Sequence, residues 1–268
     1  MAIYDCFQYF NEDHILDLRM NILNESVDYF VISESTKNHQ GSEKKLNFDI
    51  KKFKKFESKI IYIVANYKDE KNFKNHKGGE SLIEQHQRNN IIHGLKKAND
   101  NDLIVLSDSD EIPDLKKLNQ IRPNTQYTAF SQKMFMYKLN LQNLNESNWI
   151  GSRICLKKHL PLPQKLRDFK FKKYPFWRLD KRKFQIILGG WHFSFLQTPY
   201  DIMKKIKSYS HGEFNTKDNA NESNIKKKIQ EGIDVFDRGF TLKKINIDDS
   251  YPEYIVNNQK LLKDWIIP

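Results

Sequence analysis

The chain has 268 residues, of which 38% are hydrophobic and 13% aromatic, enough apolar material for one large α/β domain or two small ones. Its formal net charge of +11 permits a nucleic acid, an anionic membrane surface or a phosphorylated substrate as partner. Because the sequence shows no zinc-finger spacing and no RNA-binding aromatic motif, we expect no nucleic-acid partner. No apolar run approaches the roughly 20 residues that a membrane span needs, and the start of the sequence shows no signal-peptide pattern. The sequence contains only two cysteines, Cys6 and Cys155. We therefore predict a cytoplasmic protein with reduced thiols that is able to contact a membrane peripherally.

The first half of the chain alternates between strand and helix patterns. Strands are predicted at residues 3–10, 27–33, 59–65 and 103–106, and helices at 14–23 and 81–97, the second opened by a capping box of Ser81 and Glu84. Strands and helices that alternate at this spacing predict a mostly parallel sheet with right-handed crossovers.

The second half has a different pattern. It predicts longer antiparallel strands at 126–141 and 149–156, a mobile loop at 161–173, and helices at 198–210, 224–231 and 254–265. Thr198 is the expected N-cap of the first of these helices, with Pro199 at its first position. Because no linker demands a boundary, we predict one domain over residues 1–268.

The most informative segment is a short apolar strand, 103–106, that runs into Asp108, Asp110 and Glu111 and ends at Pro113. Carboxylates this close repel one another unless a cation or a cationic partner lies among them. Since side chains alternate along an extended segment, Asp108 and Asp110 are predicted on one side and Glu111 on the other. An Asp-x-Asp at the carboxyl end of a buried strand predicts a sugar-nucleotide transferase with a divalent ion, Mn²⁺ or Mg²⁺, at Asp108 and Asp110. The alternative is an exposed acidic turn.

His192 is the candidate for an additional metal ligand, because manganese accepts imidazole readily. It follows Gly189 and Gly190, which allow a close approach of backbone, and Trp191, whose ring offers a face to a sugar or base. The alternative is a core histidine with satisfied hydrogen bonds.

Two further pairs are candidate substrate-binding residues. Arg88 and Asn89 are expected close to the acidic end of the sheet, where Arg88 can bind a phosphate or a sugar hydroxyl; an ordinary surface salt bridge is the alternative. Glu34 and Ser35 end the second strand, where an open α/β sheet meets its ligand. Glu34 can instead cap the turn that follows.

An inverting transferase needs a base that takes the proton from the acceptor hydroxyl. Outside the acidic motif, Glu213 and Asp237 are the candidate catalytic acids, although neither is distinguished by its spacing.

The segment 101–113 and the run 190–194, followed by Thr198 and Pro199, resemble glycosyltransferase family 17. Residues 30–35, 88–89 and 254–262 add to the similarity, which extends over nearly the whole chain. The resemblance implies a GT-A-type, Rossmann-like α/β fold in which a mixed sheet is flanked by helices, with UDP-GlcNAc as donor, inversion at the anomeric carbon and a manganese-type ion. The family's Asp-x-Asp corresponds to Asp108 and Asp110, and its Trp-His corresponds to Trp191 and His192. The family also has an acid near the position of Glu213, and we therefore rank Glu213 above Asp237 as the catalytic base.

The animal members of that family resemble Golgi proteins with a membrane anchor and a stem, which this sequence does not show. We therefore expect the acceptor to be a surface glycan or a lipid-linked glycan, with residues 1–113 binding the nucleotide sugar and 114–268 forming the acceptor side. Two alternatives remain: another UDP-sugar donor, or a non-catalytic basic protein that binds nucleic acid or polyanionic glycan on a transferase-like fold.

Overall fold

A computed structural model describes residues 1–38, 41–68, 82–172, 175, 177–178, 181–208 and 221–268. The chain forms two compact units. Unit 1 comprises Met1–Gln132 and Ile150–Gly190, and unit 2 comprises Lys133–Trp149 and Trp191–Pro268. The unit boundaries differ from the predicted division at residue 113, and a single domain over the whole chain stays a prediction.

The elements follow one another in this order. The strands are β1 (Ile3–Tyr9), β2 (Tyr29–Ser35), β3 (Ile60–Ala65), β4 (Leu103–Ser107), β5 (Glu111–Ile112), β6 (Tyr127–Met136), β7 (Leu141–Asn143), β8 (Trp149–Leu156), β9 (Phe184–Ser194) and β10 (Leu242–Lys244). The α-helices are α1 (Asp13–Leu23), α2 (Leu82–Asn90), α3 (Pro163–Asp168), α4 (Pro199–Ser208), α5 (Glu222–Gln230) and α6 (Glu253–Asn257). Short 3-10 segments lie at Ile50–Lys59, Ile91–Leu95, Leu115–Gln120, Lys157–His159 and Lys263–Trp265.

Unit 1 is built on a mixed sheet. Strand β1 pairs in parallel with β2 and with β4, and β2 pairs in parallel with β3. Strand β8 pairs with β4 in the antiparallel direction. The predicted mixed α/β sheet with flanking helices is therefore confirmed, and it places the carboxyl ends of β1, β2, β3 and β4 at one edge.

The core of unit 1 explains why these segments are strands and helices. Every residue of β4 is buried, as expected for a central strand covered on both faces. Helix α1 buries its apolar side through Ile15, Leu16, Leu18, Met20 and Leu23.

The two cysteines are buried free thiols, in agreement with the sequence prediction. No helix among the described residues combines the length and the apolar character needed to cross a bilayer.

Three predicted elements have different bounds in the structure. The predicted helix at 81–97 ends at Asn90 and continues as a 3-10 turn, in which a Cβ on Gly94 would stand 2.6 Å from side-chain atoms of Val31 and Ile63. Only a glycine permits this approach to the sheet. At the other end of the predicted helix, Ser81 of the capping box lies outside the described residues. The predicted strand at 126–141 ends at Met136, because Tyr137 adopts a positive φ of 65° and turns the chain. The predicted helix at 254–265 is only α6 and a separate 3-10 turn.

The prediction of a mobile loop at 161–173 was wrong in its central part, which forms helix α3. Pro163 occupies its first turn, where the missing N–H of proline costs nothing. The predicted N-cap Thr198 is confirmed, since its hydroxyl accepts the N–H of Asp201 at 3.1 Å. Asn221 caps α5 in the same manner, which starts that helix two residues earlier than predicted.

Unit 2 has its own apolar core. Strands β7 and β10 pair in the antiparallel direction, and helices α4 and α5 contribute Ile202, Ile206, Ile225 and Ile229 to the cluster. Within it, the hydroxyl of Tyr137 donates to Asp234 at 2.7 Å.

Candidate active site

The acidic turn, residues 108–111, follows β4 directly. The N–H of Glu111 donates to the carbonyl of Asp108 at 3.1 Å, and the N–H of Asp108 donates to Oε2 of Glu111 at 3.2 Å. The segment is thus a turn and not an extended strand, so the predicted alternation of Asp108 and Asp110 against Glu111 does not apply. Glu111 is buried, whereas Asp108 and Asp110 are partly exposed at the end of the sheet.

Two arginines bind the carboxylate of Asp108. Nη2 of Arg88 donates to Oδ1 at 3.1 Å, and Nη2 of Arg167 donates to Oδ2 at 2.8 Å. Arg167 also makes a bidentate pair with the buried carboxylate of Glu111, at 2.9 Å from Nη1 and 2.8 Å from Nη2. The cationic partner that the closely spaced acids require is therefore supplied by arginine side chains.

A third arginine, Arg19 of α1, holds the backbone of the turn. Its Nε and Nη2 donate to the carboxylate of Asp5 at 2.7 and 2.6 Å, and both side chains are fully buried. Its Nη1 donates to the carbonyls of Asp108 and Ser109 at 3.2 Å and to that of Glu111 at 2.7 Å. Strand β1, helix α1 and the acidic turn are joined through this one guanidinium.

A fourth arginine, Arg153 of β8, raises the positive potential nearby. It is buried, donates from Nη1 to the carbonyl of Ile150 at 2.8 Å, and lies 5.2 Å from the ring centre of Phe171. Burial, together with the neighbouring charge of Arg167, lowers the pKa of Arg153 to about 10. The guanidinium stays protonated at neutral pH, so it favours an anion in its surroundings.

The predicted pair Arg88 and Asn89 does lie at the acidic end of the sheet. Arg88 is buried and also donates to Glu84 at 2.9 Å and to Gln164 of α3. Asn89 accepts the N–H of Gln164 at 2.9 Å and so satisfies a backbone donor in the first turn of α3. Helix α2 therefore positions both α3 and the carboxylate of Asp108, while a substrate contact of either residue stays a prediction.

Glu34 and Ser35 end β2, and both are buried. The carboxylate of Glu34 accepts the N–H groups of Asn47 at 2.7 Å and Phe48 at 3.1 Å. It also accepts the hydroxyl of Tyr62 at 2.8 Å and pairs with Lys44. These partners fit the alternative reading, in which Glu34 organises the chain that follows β2; binding of a ligand by Glu34 or Ser35 stays a prediction.

Three candidates belong to unit 2. Trp191 is 8% exposed and donates its indole N–H to the carbonyl of Ser250 at 3.1 Å. His192 is buried with its ring 4.9 Å from that of Trp149. Asp237 is exposed in a turn and pairs with Lys228 at 2.6 Å. Glu213 lies outside the described residues. The catalytic roles of Glu213 and Asp237, the metal ligation by His192 and the substrate contact of Trp191 all stay predictions.

The donor set at the acidic turn fits a hard divalent ion. Asp108 and Asp110 offer carboxylate oxygens in one partly exposed turn, and oxygen is the ligand that Mg²⁺ and Mn²⁺ prefer. Within the described part of the chain, no group of three His, Cys, Asp or Glu side chains could hold an ion without further ligands. A site of one or two carboxylates, completed by water and the phosphates of a substrate, is the usual form for Mg²⁺.

Sequence reasoning missed Arg19, Arg153 and Arg167. A proline at the start of 163–168 is the signal that would have identified α3 and with it Arg167. Arg19 lies on the buried side of an amphipathic helix, where a charged residue signals a buried partner. Arg153 has no comparable signal in the sequence.

No curated protein matches the chain. Among solved structures, HddC from Yersinia pseudotuberculosis complexed with GMP-PN is 13% identical, covers 70% of this chain and 90% of its own, and gives a TM-score of 0.36. A glycosyltransferase involved in the glycosylation of the major capsid of PBCV-1 is 13% identical, covers 70% of this chain and 81% of its own, and gives a TM-score of 0.30.

The family comparison is far more extensive along the sequence. The model described as Glycosyltransferase family 17 matches residues 1–245, which include β1 to β10, the acidic turn and the Trp191–His192 pair. The resemblance carried by the motifs is thereby confirmed, and this chain belongs to glycosyltransferase family 17.

Proposed function

We propose that this glycosyltransferase moves N-acetylglucosamine from UDP-GlcNAc to a hydroxyl group of a glycan or glycolipid, with inversion at the anomeric carbon. The observation that carries the proposal is the position of Asp108. In a family 17 chain, this carboxylate follows a central strand that pairs in parallel with β1, and it accepts hydrogen bonds from two arginines. The carboxyl edge of such a sheet is where α/β proteins bind phosphate-bearing ligands.

The chemistry requires that negative charge on the departing diphosphate be stabilised. A Mn²⁺ or Mg²⁺ ion held by Asp108 and Asp110 would supply most of that stabilisation. Arg88 and Arg167 lie beside Asp108, so their positive charge would stabilise phosphate groups bound at this turn. Because Glu111 fixes Arg167 through two hydrogen bonds, little reorganisation is needed when charge develops.

The acceptor hydroxyl must lose a proton as its oxygen attacks the anomeric carbon on the face opposite to UDP. We assign this proton to Glu213, with Asp237 as the second choice, following the family resemblance. His192 as an additional metal ligand and Trp191 as a sugar-stacking ring complete the proposal, with Glu34 and Ser35 on the donor side.

Thermal unfolding in the presence of nucleotide sugars tests this proposal. UDP-GlcNAc with Mn²⁺ at about 100 times its dissociation constant should add roughly 2.7 kcal/mol, an increase of about 5–10 °C in Tm for a chain of this size. We expect no comparable shift from UDP-GlcNAc or from Mn²⁺ alone. The variant Asp110→Asn should lose the metal-dependent shift, whereas the exposed Asp100→Asn, which makes the same change of charge in a turn before β4, should keep it.

Two results would change the assignment. A shift with another UDP-sugar and none with UDP-GlcNAc would keep the enzyme class and replace the donor. No shift with any nucleotide sugar, with or without metal, would contradict the proposal and favour the non-catalytic binding protein.

A further inference from the structure

The positive charge of the chain is concentrated in one segment of unit 1. Residues 157–183 contain eleven Lys and Arg and two acidic residues, a net charge of +9 out of +11 for the whole chain. The rest of the sequence is nearly neutral. A charge distributed this unevenly produces a local positive potential that diffuse surface lysines would not.

Aromatic side chains fix one part of this segment to unit 1. The rings of Phe169 and Phe171 lie 5.5 and 5.4 Å from that of Phe184 and are half-buried. The residues that alternate with them, Lys170 and Lys172, are exposed. The alternation gives this stretch an aromatic side against the protein and a cationic side toward solvent.

The other end of the segment returns to the same ring. Nζ of Lys181 lies 5.3 Å and Nζ of Lys183 5.9 Å from the centre of Phe184. Lys181 and Lys183 therefore lie around the same ring that Phe169 and Phe171 contact, although about ten residues separate the two pairs in sequence.

Large apolar side chains are exposed among these cations. Trp177 is 66% exposed and Leu162 is 57% exposed. An exposed indole in a segment rich in lysine and arginine is typical of a protein surface that enters the headgroup region of a bilayer, where the ring is partly buried and the cations meet phosphate. If the lysines of this segment formed a charged surface that contacts only water, the exposure of Trp177 would have no explanation.

We propose that the basic face, formed by Leu162, Lys165, Lys170, Lys172, Trp177 and Lys183, binds the phosphate headgroups of an anionic membrane. The binding does not depend on the proposed function, but one consequence rests on it. Arg167 belongs to the same segment and contacts Asp108 and Glu111, so a membrane at the basic face would lie beside the candidate donor site. That placement suits an acceptor carried on a lipid.

Sedimentation of the full chain with lipid vesicles tests the proposal. We expect binding to vesicles of phosphatidylcholine mixed with phosphatidylglycerol, little binding to phosphatidylcholine alone, and weaker binding as salt is raised. Each lysine near an anionic surface contributes about fivefold to partitioning. The double variant Lys170→Glu/Lys172→Glu should therefore reduce partitioning by roughly 25-fold or more, and Arg182→Glu/Lys183→Glu should act in the same direction.

A matched control separates a defined face from net charge. Lys226→Glu/Lys227→Glu makes the same change of charge on exposed positions of α5 in unit 2 and should leave vesicle binding nearly unchanged. Trp177→Ala, which leaves the charge unaltered, should also weaken binding. Each variant is first checked for a native Tm and for the thermal shift by nucleotide sugar, so that loss of membrane binding is distinguished from loss of the donor site.

Two outcomes would overturn the proposal. Equal losses in the α5 control and in the basic-face variants would show that only net charge matters. Tight binding to single-stranded RNA or to heparin, with no preference for anionic over neutral vesicles, would assign the segment to a polyanion instead of a membrane.

Discussion

Arg167 donates to Asp108 over 2.8 Å, although the two residues are 59 positions apart in the sequence. The bond joins helix α3 to the turn at the end of β4. The same guanidinium pairs with Glu111, so a residue in a segment with no recognisable motif fixes two of the three acids in the motif.

Removal of the Arg167 side chain should destabilise the fold. Arg167→Ala leaves the buried carboxylate of Glu111 without its bidentate partner, which typically costs about 3–5 kcal/mol. Urea unfolding measures the loss. Lys165→Ala on the exposed side of the same helix should change stability by no more than about 0.5 kcal/mol. Because the cost comes from an unpaired charge, adding Glu111→Gln to Arg167→Ala should restore part of it; a double variant as unstable as the sum of the singles would contradict this reading.

The buried pair of Arg19 and Asp5 should be sensitive even to a conservative change. Arg19→Lys retains the charge but cannot reach the carboxylate of Asp5 and three backbone carbonyls at once. We expect a loss of about 1–3 kcal/mol in the free energy of unfolding, together with weaker thermal stabilisation by the donor because the acidic turn loses its backbone support. Lys52→Arg, at an exposed ion pair with Asp13, is the control and should have little effect. A fully stable Arg19→Lys would show that the carbonyl contacts contribute nothing.

Gly190 should tolerate no side chain. A Cβ at this position would lie 2.5 Å from the carbonyl oxygen of Ile112 and 2.9 Å from Cα of Pro113, and its φ of +104° is unfavourable for any L-residue. Gly239, with a φ of +77° and open space around it, is the matched control. Gly239→Ala should cost about 1–2 kcal/mol from backbone strain, and Gly190→Ala clearly more because backbone atoms must also move. Equal losses of Tm in the two variants would be inconsistent with this difference in packing.

Asp102 should contribute to the acid sensitivity of the fold. Its carboxylate accepts the N–H groups of Ala2 and Asn99, both at 2.8 Å, and these bonds lower its pKa. Since the folded pKa lies below the unfolded value of about 3.9, this contribution to stability is complete above that value and is lost as pH falls through the folded pKa. Asp102→Asn should therefore flatten the decline of stability below about pH 4, as measured by urea unfolding at a series of pH values. An unchanged acid limb would exclude a role for this carboxylate.

Several parts of the fold were accessible from the sequence because their causes are local. The β-branched run of β3 and the fully apolar run of β4 predicted strands, and Thr198 predicted a helix start, since these patterns depend on residues within a few positions of one another. The end of β6 was not accessible in the same way. It depends on the positive φ of Tyr137, whose buried hydroxyl donates to Asp234 almost one hundred residues later.

The candidate site shows the same difference between features with local causes and features with long-range causes. The sequence by itself determined the family, the α/β sheet and the acidic motif at its carboxyl edge, because strand period, side-chain chemistry and motif spacing are local properties of the chain. That the motif is a turn and not an extended segment came from the structure. Only the tertiary structure decided that Arg19 and Arg167 join Arg88 around that motif. Burying carboxylates in a low-dielectric interior is unfavourable without compensating cations, and which cations lie within about 3 Å depends on long-range packing, which no local pattern encodes.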